Sequence, residues 1–236
     1  MFAQPVHEPS KHTLRPTVTG TSAIGIKYKG GVMVATDTIA CYGSWIRYKD
    51  VERIHQVSKD TLLAMNGEMS DYQKILQMLE QKRVHEYCMD DGSTQTSAEL
   101  HSYLTRVMYQ KRCKMDPLWN MLLVAGYRDG EAYLGYTDLY GSSFTDDYLA
   151  TGLGMYMALP LMRNQWSPEM TEAQARALLE SALKICYYRD TRASNKVQIA
   201  RVDESGVHID EPITLQGEWN HQRFVDGSAK AGDGGW

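Results

Sequence analysis

Thr21 follows Gly20 and opens an apolar, alternating run that ends at Asp37. A threonine hydroxyl is a poor nucleophile at neutral pH and needs a base. A free α-amine on the same residue can serve, because a pKa near roughly 8 leaves part of it neutral. This chemistry needs a cut after Gly20, a cation (usually a buried lysine) to hold the amine neutral, and an acid to orient it. Gly20 gives the backbone the freedom that a strained, cleavable turn requires. Without a cut, Gly-Thr ahead of a strand is an ordinary junction of no chemical consequence.

Other patterns carry less. Gly152-Leu153-Gly154 opens a helix but lacks the third glycine and the preceding first strand of a dinucleotide loop, so no cofactor is expected there. The chain has no Walker loop, no G-x-S-x-G elbow and no H-E-x-x-H. The acid pairs Asp90-Asp91, Asp146-Asp147 and Asp203-Glu204 fall in turn sequences and read as solvated acids. Cys41, Cys88, Cys113 and Cys186 are far apart, with no CxxC and no histidine at ligand spacing, so no metal site is expected. They read as reduced, mostly buried thiols of an intracellular protein.

A net charge of −4 and a pI near 6.0 argue against nucleic acid as the main partner, since phosphate binding needs a basic field. The one basic cluster, Lys111-Arg112-Cys113-Lys114, falls where a helix should end and complements its dipole. Apolar stretches such as Met121 to Gly126 are far short of a membrane span. Residues 1–20 contain no continuous apolar core of a secretory signal. With Pro5, Pro9 and Pro16 they read as a polar, extended leader.

The elements that would position Thr21 follow from periodicity. Ala23 to Tyr28 and Val32 to Ala35 are short β-rich runs joined by the turn signal Lys29-Gly30-Gly31. Thr61 to Met65 is a further strand running into Asn66-Gly67, read as a turn. Tyr72, Ile75, Leu76 and Leu79 then follow helical spacing toward Tyr87. Thr96 with Glu99 makes a capping box for a second helix striped by Leu100, Tyr103, Leu104, Val107 and Met108. Strands return over Asn120 to Ala125, Ala132 to Thr137 and Ser143 to Thr145. A short helix over Gly152 to Leu159 should stop near Pro160. Thr171 with Gln174 caps a last helix carrying Ala175, Leu178, Leu179, Ala182, Leu183 and Cys186. Lys196 to Val202 and Val207 to Ile209 close a hairpin. Helices arriving in pairs between hairpins imply an α+β fold, with antiparallel sheets stacked face to face and helix pairs outside. One domain is expected, over 21–215, with 1–20 as leader and 216–236 as a tail.

The stretch Thr21-Ser-Ala-Ile-Gly-Ile-Lys-Tyr-Lys-Gly-Gly-Val-Met-Val-Ala-Thr-Asp37-Thr38 resembles the opening of proteasome β-type subunits, and the resemblance runs from 21 to about 215. Gly-Ser-Trp-Ile-Arg-Tyr (43–48), Val-Met-Tyr-Gln-Lys-Arg (107–112), Leu-Ala-Thr-Gly (149–152) and Tyr-Tyr-Arg-Asp (187–190) look like one branch of that family, the β7 (animal β type-4) branch of the 20S core. Lys-Met-Asp-Pro-Leu-Trp-Asn (114–120) is the most specific of these strings.

The resemblance implies the four-layer αββα sandwich of N-terminal-nucleophile hydrolases, in agreement with the element order. It also implies a test of catalysis. Peptide-cleaving members use a threonine and an acid that match Thr21 and Asp37. Their essential lysine falls at Arg53, and two serines that complete the site fall at Leu153 and Ala193. Arginine stays charged at any working pH and cannot exchange a proton with a threonine hydroxyl. The second acid is matched by Asp190, beside Arg189 and read as its ion-pair partner. Ser194-Asn195 stands where active members carry a glycine pair. The implied protein is a non-catalytic β subunit whose mature chain starts near Thr13, leaving Thr21 internal. Its expected partners are β subunits of its own and the opposite seven-membered ring and the α ring, in cytoplasm and nucleus, with no cofactor, nucleic acid or membrane. Gly217 to Trp236 would be an arm onto neighbouring subunits, anchored by Trp219, Phe224 and Trp236. The alternatives are an active threonine endopeptidase subunit with Thr21 as nucleophile, or a stand-alone module of the same sandwich.

Overall fold

A computed structural model of the chain describes residues 13–220, apart from 91 and 93. The chain opens with strands β1 (Val18–Gly20), β2 (Ala23–Tyr28), β3 (Gly31–Asp37), β4 (Ala40–Tyr42), β5 (Trp45–Tyr48), β6 (Ile54–Ser58) and β7 (Thr61–Glu68). Helices α1 (Met69–Met89) and α2 (Ser97–Cys113) follow, then β8 (Asn120–Arg128), β9 (Glu131–Thr137), β10 (Ser143–Thr145) and β11 (Tyr148–Ala150). Helices α3 (Gly154–Met157), α4 (Leu159–Gln165) and α5 (Glu172–Arg189) precede β12 (Lys196–Asp203), β13 (Gly206–Ile209) and β14 (Ile213–Thr214).

Two antiparallel sheets result. One runs β10-β9-β8-β7-β1-β4-β5, with β6 also paired to β7; the other runs β11-β2-β3-β12-β13, with β14 also paired to β12. Side chains alternate across each strand, so a strand buried on both faces feeds two different cores. In β7, Leu62 and Ala64 face the space between the sheets and meet Val34, Leu123 and Val202. Leu63 and Met65 face outward and meet Tyr72 and Ile75 of α1 and Leu104 of α2. On the other sheet, Ile24, Ile26 and Ala35 pack beneath Leu179, Ala182 and Leu183 of α5. Three apolar clusters between four layers give the αββα sandwich that the element order implied.

Both capping boxes form as read. Thr96 accepts from the Glu99 amide while Glu99 accepts from the Thr96 amide, and Thr171 and Gln174 do the same on α5. The Lys29-Gly30-Gly31 turn is present, with Gly30 at a φ of 96°.

Several readings fail for local reasons. Asn66-Gly67 is not a turn: β7 continues through it to Glu68, with Gly67 at a φ of 105° and the Trp119 carbonyl where a side chain would sit. Pro160 does not end a helix; it lies in the first turn of α4, where its missing N–H is not needed. Cys88 and Cys113 are exposed, one on the outward face of α1 and one in the last turn of α2; only Cys41 and Cys186 are buried. Of the turn acids, Asp147 meets Lys27 at 3.0 Å and Asp203 meets Arg201 at 3.1 Å, so neither is merely solvated; Asp91 lies outside the described residues. Strands β4, β5, β6 and β11 carry no clear alternation in the sequence and were not expected. Among the described residues no helix is long and apolar enough to cross a membrane.

Candidate functional site

The structure brings Thr21, Asp37 and Arg53 together where β1 ends and β2 begins. The Thr21 hydroxyl donates to Asp37 Oδ2 at 2.9 Å, and the Ser194 amide donates to the same oxygen at 3.0 Å. Arg53, fully buried at 0% exposure, pairs through Nη1 with Asp37 Oδ1. Its Nη2 donates to the carbonyls of Thr21, of Ser22 at 3.3 Å and of Met65 at 2.8 Å. The guanidinium thus ties the two sheets together beneath Thr21. Its buried Nε has no hydrogen-bond partner among the described residues.

Burial pushes the Asp37 carboxyl above its usual range, and the guanidinium, the Ser194 amide and the Thr21 hydroxyl pull it back. Burial lowers Arg53, and Asp37 opposes that shift. The intrinsic preference for the proton still lies with arginine by roughly eight or more pK units, so the pair is ionic. An acid held this way is a weak base, and a guanidinium cannot relay a proton. The arrangement fixes the Thr21 hydroxyl without activating it.

Gly20 has a different role from the one its sequence position suggests. It is not in a turn: it closes β1, opposite Gly67 of β7. A Cβ built there would overlap Arg53 Nε and lie 2.9 Å from its Cζ. The missing side chain makes room for the larger cation.

Residues 13–20, ahead of Thr21, pack against the larger sheet and α1. β1 pairs with β4 on one side (Thr19 opposite Cys41) and with β7 on the other (Thr19 opposite Glu68). Buried Glu68 accepts from the amides of Thr17 and, at 3.0 Å, of Val18. Asp71 accepts from the Thr13 hydroxyl at 2.6 Å and from the Trp119 amide at 2.9 Å, while Trp119 Nε1 donates to the Thr13 carbonyl at 3.0 Å. Glu68, Asp71 and Ser22 were not singled out from the sequence, and Asn66, which donates to the Thr21 carbonyl at 2.7 Å, was read only as part of a turn. Only the string around Trp119 gave any signal.

Beside Thr21 a cleft of about 350 Å³ is lined by Pro16, Trp119, Met121, Leu153, Tyr156 and Asp190, among others. Leu153 therefore stands at the cleft wall with no hydroxyl. Ala193 supplies only its amide, which donates to the Asp190 carbonyl at 3.1 Å. Asp190 is buried and caps its own loop by accepting from the Arg192 amide at 2.9 Å. Its ion-pair neighbour is Arg192, at 4.0 Å, rather than Arg189. The Gly154 amide at the start of α3 is occupied by the Ser22 hydroxyl at 2.8 Å, so the Gly-Leu-Gly loop holds a side chain of the chain itself. Trp219 lies against the rings of Tyr187 and Tyr188 at the end of α5, with centroids 5.6 and 5.1 Å away. Phe224 and Trp236 lie outside the described residues. Among the described residues no three metal-ligating side chains converge.

The sequence pattern of the family described as proteasome subunit matches residues 17–202. A proteasome subunit beta type-4 of Arabidopsis thaliana is 42% identical over 229 residues, covering 97% of this chain and 93% of the relative. The subunit of the same description in Xenopus laevis is 39% identical, with 93% and 91% covered. A proteasome subunit beta type-7 of Saccharomyces cerevisiae is 34% identical, with 93% and 87% covered. With the two-sheet sandwich and a threonine at the head of β2, these likenesses place the chain in the proteasome subunit family.

Proposed function

We propose that the chain is a non-catalytic structural β subunit of the 20S proteasome core, kept for the ring it completes in ubiquitin- and ATP-dependent proteolysis. One observation carries the reading: the place of the proton-handling lysine holds a buried Arg53 that is bonded to Asp37 through Nη1 and to three carbonyls through Nη2. General-base help is worth roughly 10²–10⁴-fold, and Leu153 and Ala193 remove two further hydroxyls. The strand formed by residues 18–20 supports the same reading, because an active site would need Thr21 to be a chain terminus.

The partners are β neighbours in the same ring, subunits of the opposite β ring and the α ring, in cytoplasm and nucleus. The acidic balance gives no field for nucleic acid. Residues 216–236, with Trp219, Phe224 and Trp236, act as an arm onto neighbours.

The intact mass of the chain taken from the assembled particle tests the central point. A start at Thr13 or earlier is expected; a start at Thr21 would overturn it in favour of an active threonine endopeptidase. For the arm, truncation after Gln216 should impair assembly, and full assembly without it would remove the anchoring role.

A further inference from the structure

At the end of β7 opposite Thr21 the chain encloses a second hollow. Its volume is about 480 Å³, and it lies between β6, α1 and the loop that leads into α2. It shares no lining residue with the cleft beside Thr21. Thr61, on its wall, begins β7, and Asn66, which lines the cleft, stands about 17 Å further along the same strand.

Small-molecule sites have volumes of roughly 300–1,000 Å³, a mainly apolar lining and a few polar groups that fix orientation. This hollow has that make-up. Val57, Leu79 and Leu100 give it an apolar lining continuous with the core between the larger sheet and the helices α1 and α2. Lys59, Lys82, Arg83 and Arg128 bring four cations to its walls, and Glu86 is its one acid.

The ion pairs decide what charge the hollow accepts. Arg128 donates through Nε to Asp60 at 2.5 Å, and its Nη1 and Nη2 go to the carbonyls of Thr94 at 3.1 Å and Gln95 at 3.0 Å, so its fork is used up. Arg83 meets Glu80 at 2.8 Å, and Lys82 meets Glu86 at 3.6 Å. Lys59 makes no ion pair among the described residues. Four bases against these three acids leave one positive charge, in a chain whose net charge is −4. One positive charge beside an apolar lining matches a monoanion with an apolar body. A phosphate monoester carries nearly two charges, would want a free guanidinium fork and would face Glu86.

We propose that this hollow binds a small monocarboxylate with an apolar body. The carboxylate sits on Lys59 and Lys82, and the body lies against Val57, Leu79 and Leu100. Lys82 is also 5.1 Å from the Tyr103 ring centroid, so its ammonium is restrained before a ligand arrives.

The test uses a medium-length fatty acid with a diazirine on its alkyl chain, irradiated with the full chain purified in its native assembly. Peptide mass spectrometry should place the adducts within residues 56–61, 79–86 and 94–100, and an excess of decanoate should suppress them. The methyl ester of the probe, which keeps the body and loses the charge, should label about tenfold less, because a hydrogen bond to a charged group contributes at least that factor. Lys59→Glu, at an exposed position, should lower labelling by about as much, while Lys59→Arg should retain most of it. Adducts confined to other surfaces, equal labelling by the ester, or undiminished labelling of Lys59→Glu would each overturn the site. Labelling of the unassembled chain alone would overturn it too, since the hollow would then be covered by a neighbouring protein.

Discussion

The centre beneath Thr21 and the β4–β5 hairpin treat their side chains in opposite ways. At the first, nearly every polar atom is matched within the chain: Asp37 takes Arg53, Thr21 and Ser194, and Nη2 of the guanidinium takes three carbonyls. At the second, Tyr42, Trp45, Ile46 and Tyr48 are about half exposed or more. The place with the layout of chemistry is closed, and the place without it is open. The polar residues beneath Thr21 hold the fold, and the exposed aromatic surface lies elsewhere.

The comparison can be broken most severely at Arg53. Arg53→Ala leaves Asp37 as an uncompensated buried charge, which should cost about 3–5 kcal/mol. For a chain of this size that lowers the melting temperature by roughly 10 °C. A loss under about 1 kcal/mol in thermal unfolding would show that the centre is not closed by this pair.

Gly20→Ala is the next largest. Its methyl must displace a packed guanidinium, at a cost of about 1–3 kcal/mol. The two sites touch, so the cost should shrink in an Arg53→Lys background; strict additivity in that double-mutant cycle would disprove the contact.

A smaller effect is carried by His101, buried on α2. Its Nε2 lies 2.8 Å from the Tyr136 carbonyl and so donates to it, and its Nδ1 lies 2.7 Å from the Tyr133 hydroxyl, from which a neutral ring accepts. Burial lowers its pKa below the usual value, and the Tyr136 carbonyl partly opposes that. Because the folded pKa is the lower one, the stabilisation is present above the unfolded value of about 6.5 and is lost as pH falls below it. Urea titrations at pH 7 and 5.5 should show that loss, and His101→Phe should flatten it; an identical slope in the variant would refute the assignment.

Trp45→Ala should do least to the fold, within about 0.5 kcal/mol for the unassembled chain, since the ring is largely exposed. A large destabilisation there would mean that the hairpin is part of the closed interior after all.

The parts of this molecule written in periodicity were readable. Both capping boxes, the α5 stripe from Ala175 to Cys186 and the β2–β3 hairpin formed where their spacing placed them. Long-range effects were not readable. Asn66-Gly67 has the composition of a turn, but seven register pairs with β8 carry the strand through it, and Gly67 serves the approach of the Trp119 carbonyl. β5 escaped notice because a strand exposed on both faces has no alternation to detect. At the site, Thr21, Asp37 and Arg53 could be named from the resemblance and its fixed spacings. Glu68 and Asp71 could not, because their partners lie some 50 residues away and only the fold brings them together.

Considered as a network of hydrogen-bonded strands, the larger sheet has one of its shortest interior links at β1. The β4–β5 hairpin reaches β7 and everything beyond it only through the three residues of β1. If that node were deleted, the ladder would fall into a five-stranded piece and an orphan hairpin, which is marginal by itself in water. Cutting the Gly20–Thr21 bond would leave this node held by its pairing with β4 and β7 and by the bonds of the Thr17 and Val18 amides to Glu68. The segment that such a cut would release is thus also the strand that joins the outward-facing hairpin to the rest of the sheet.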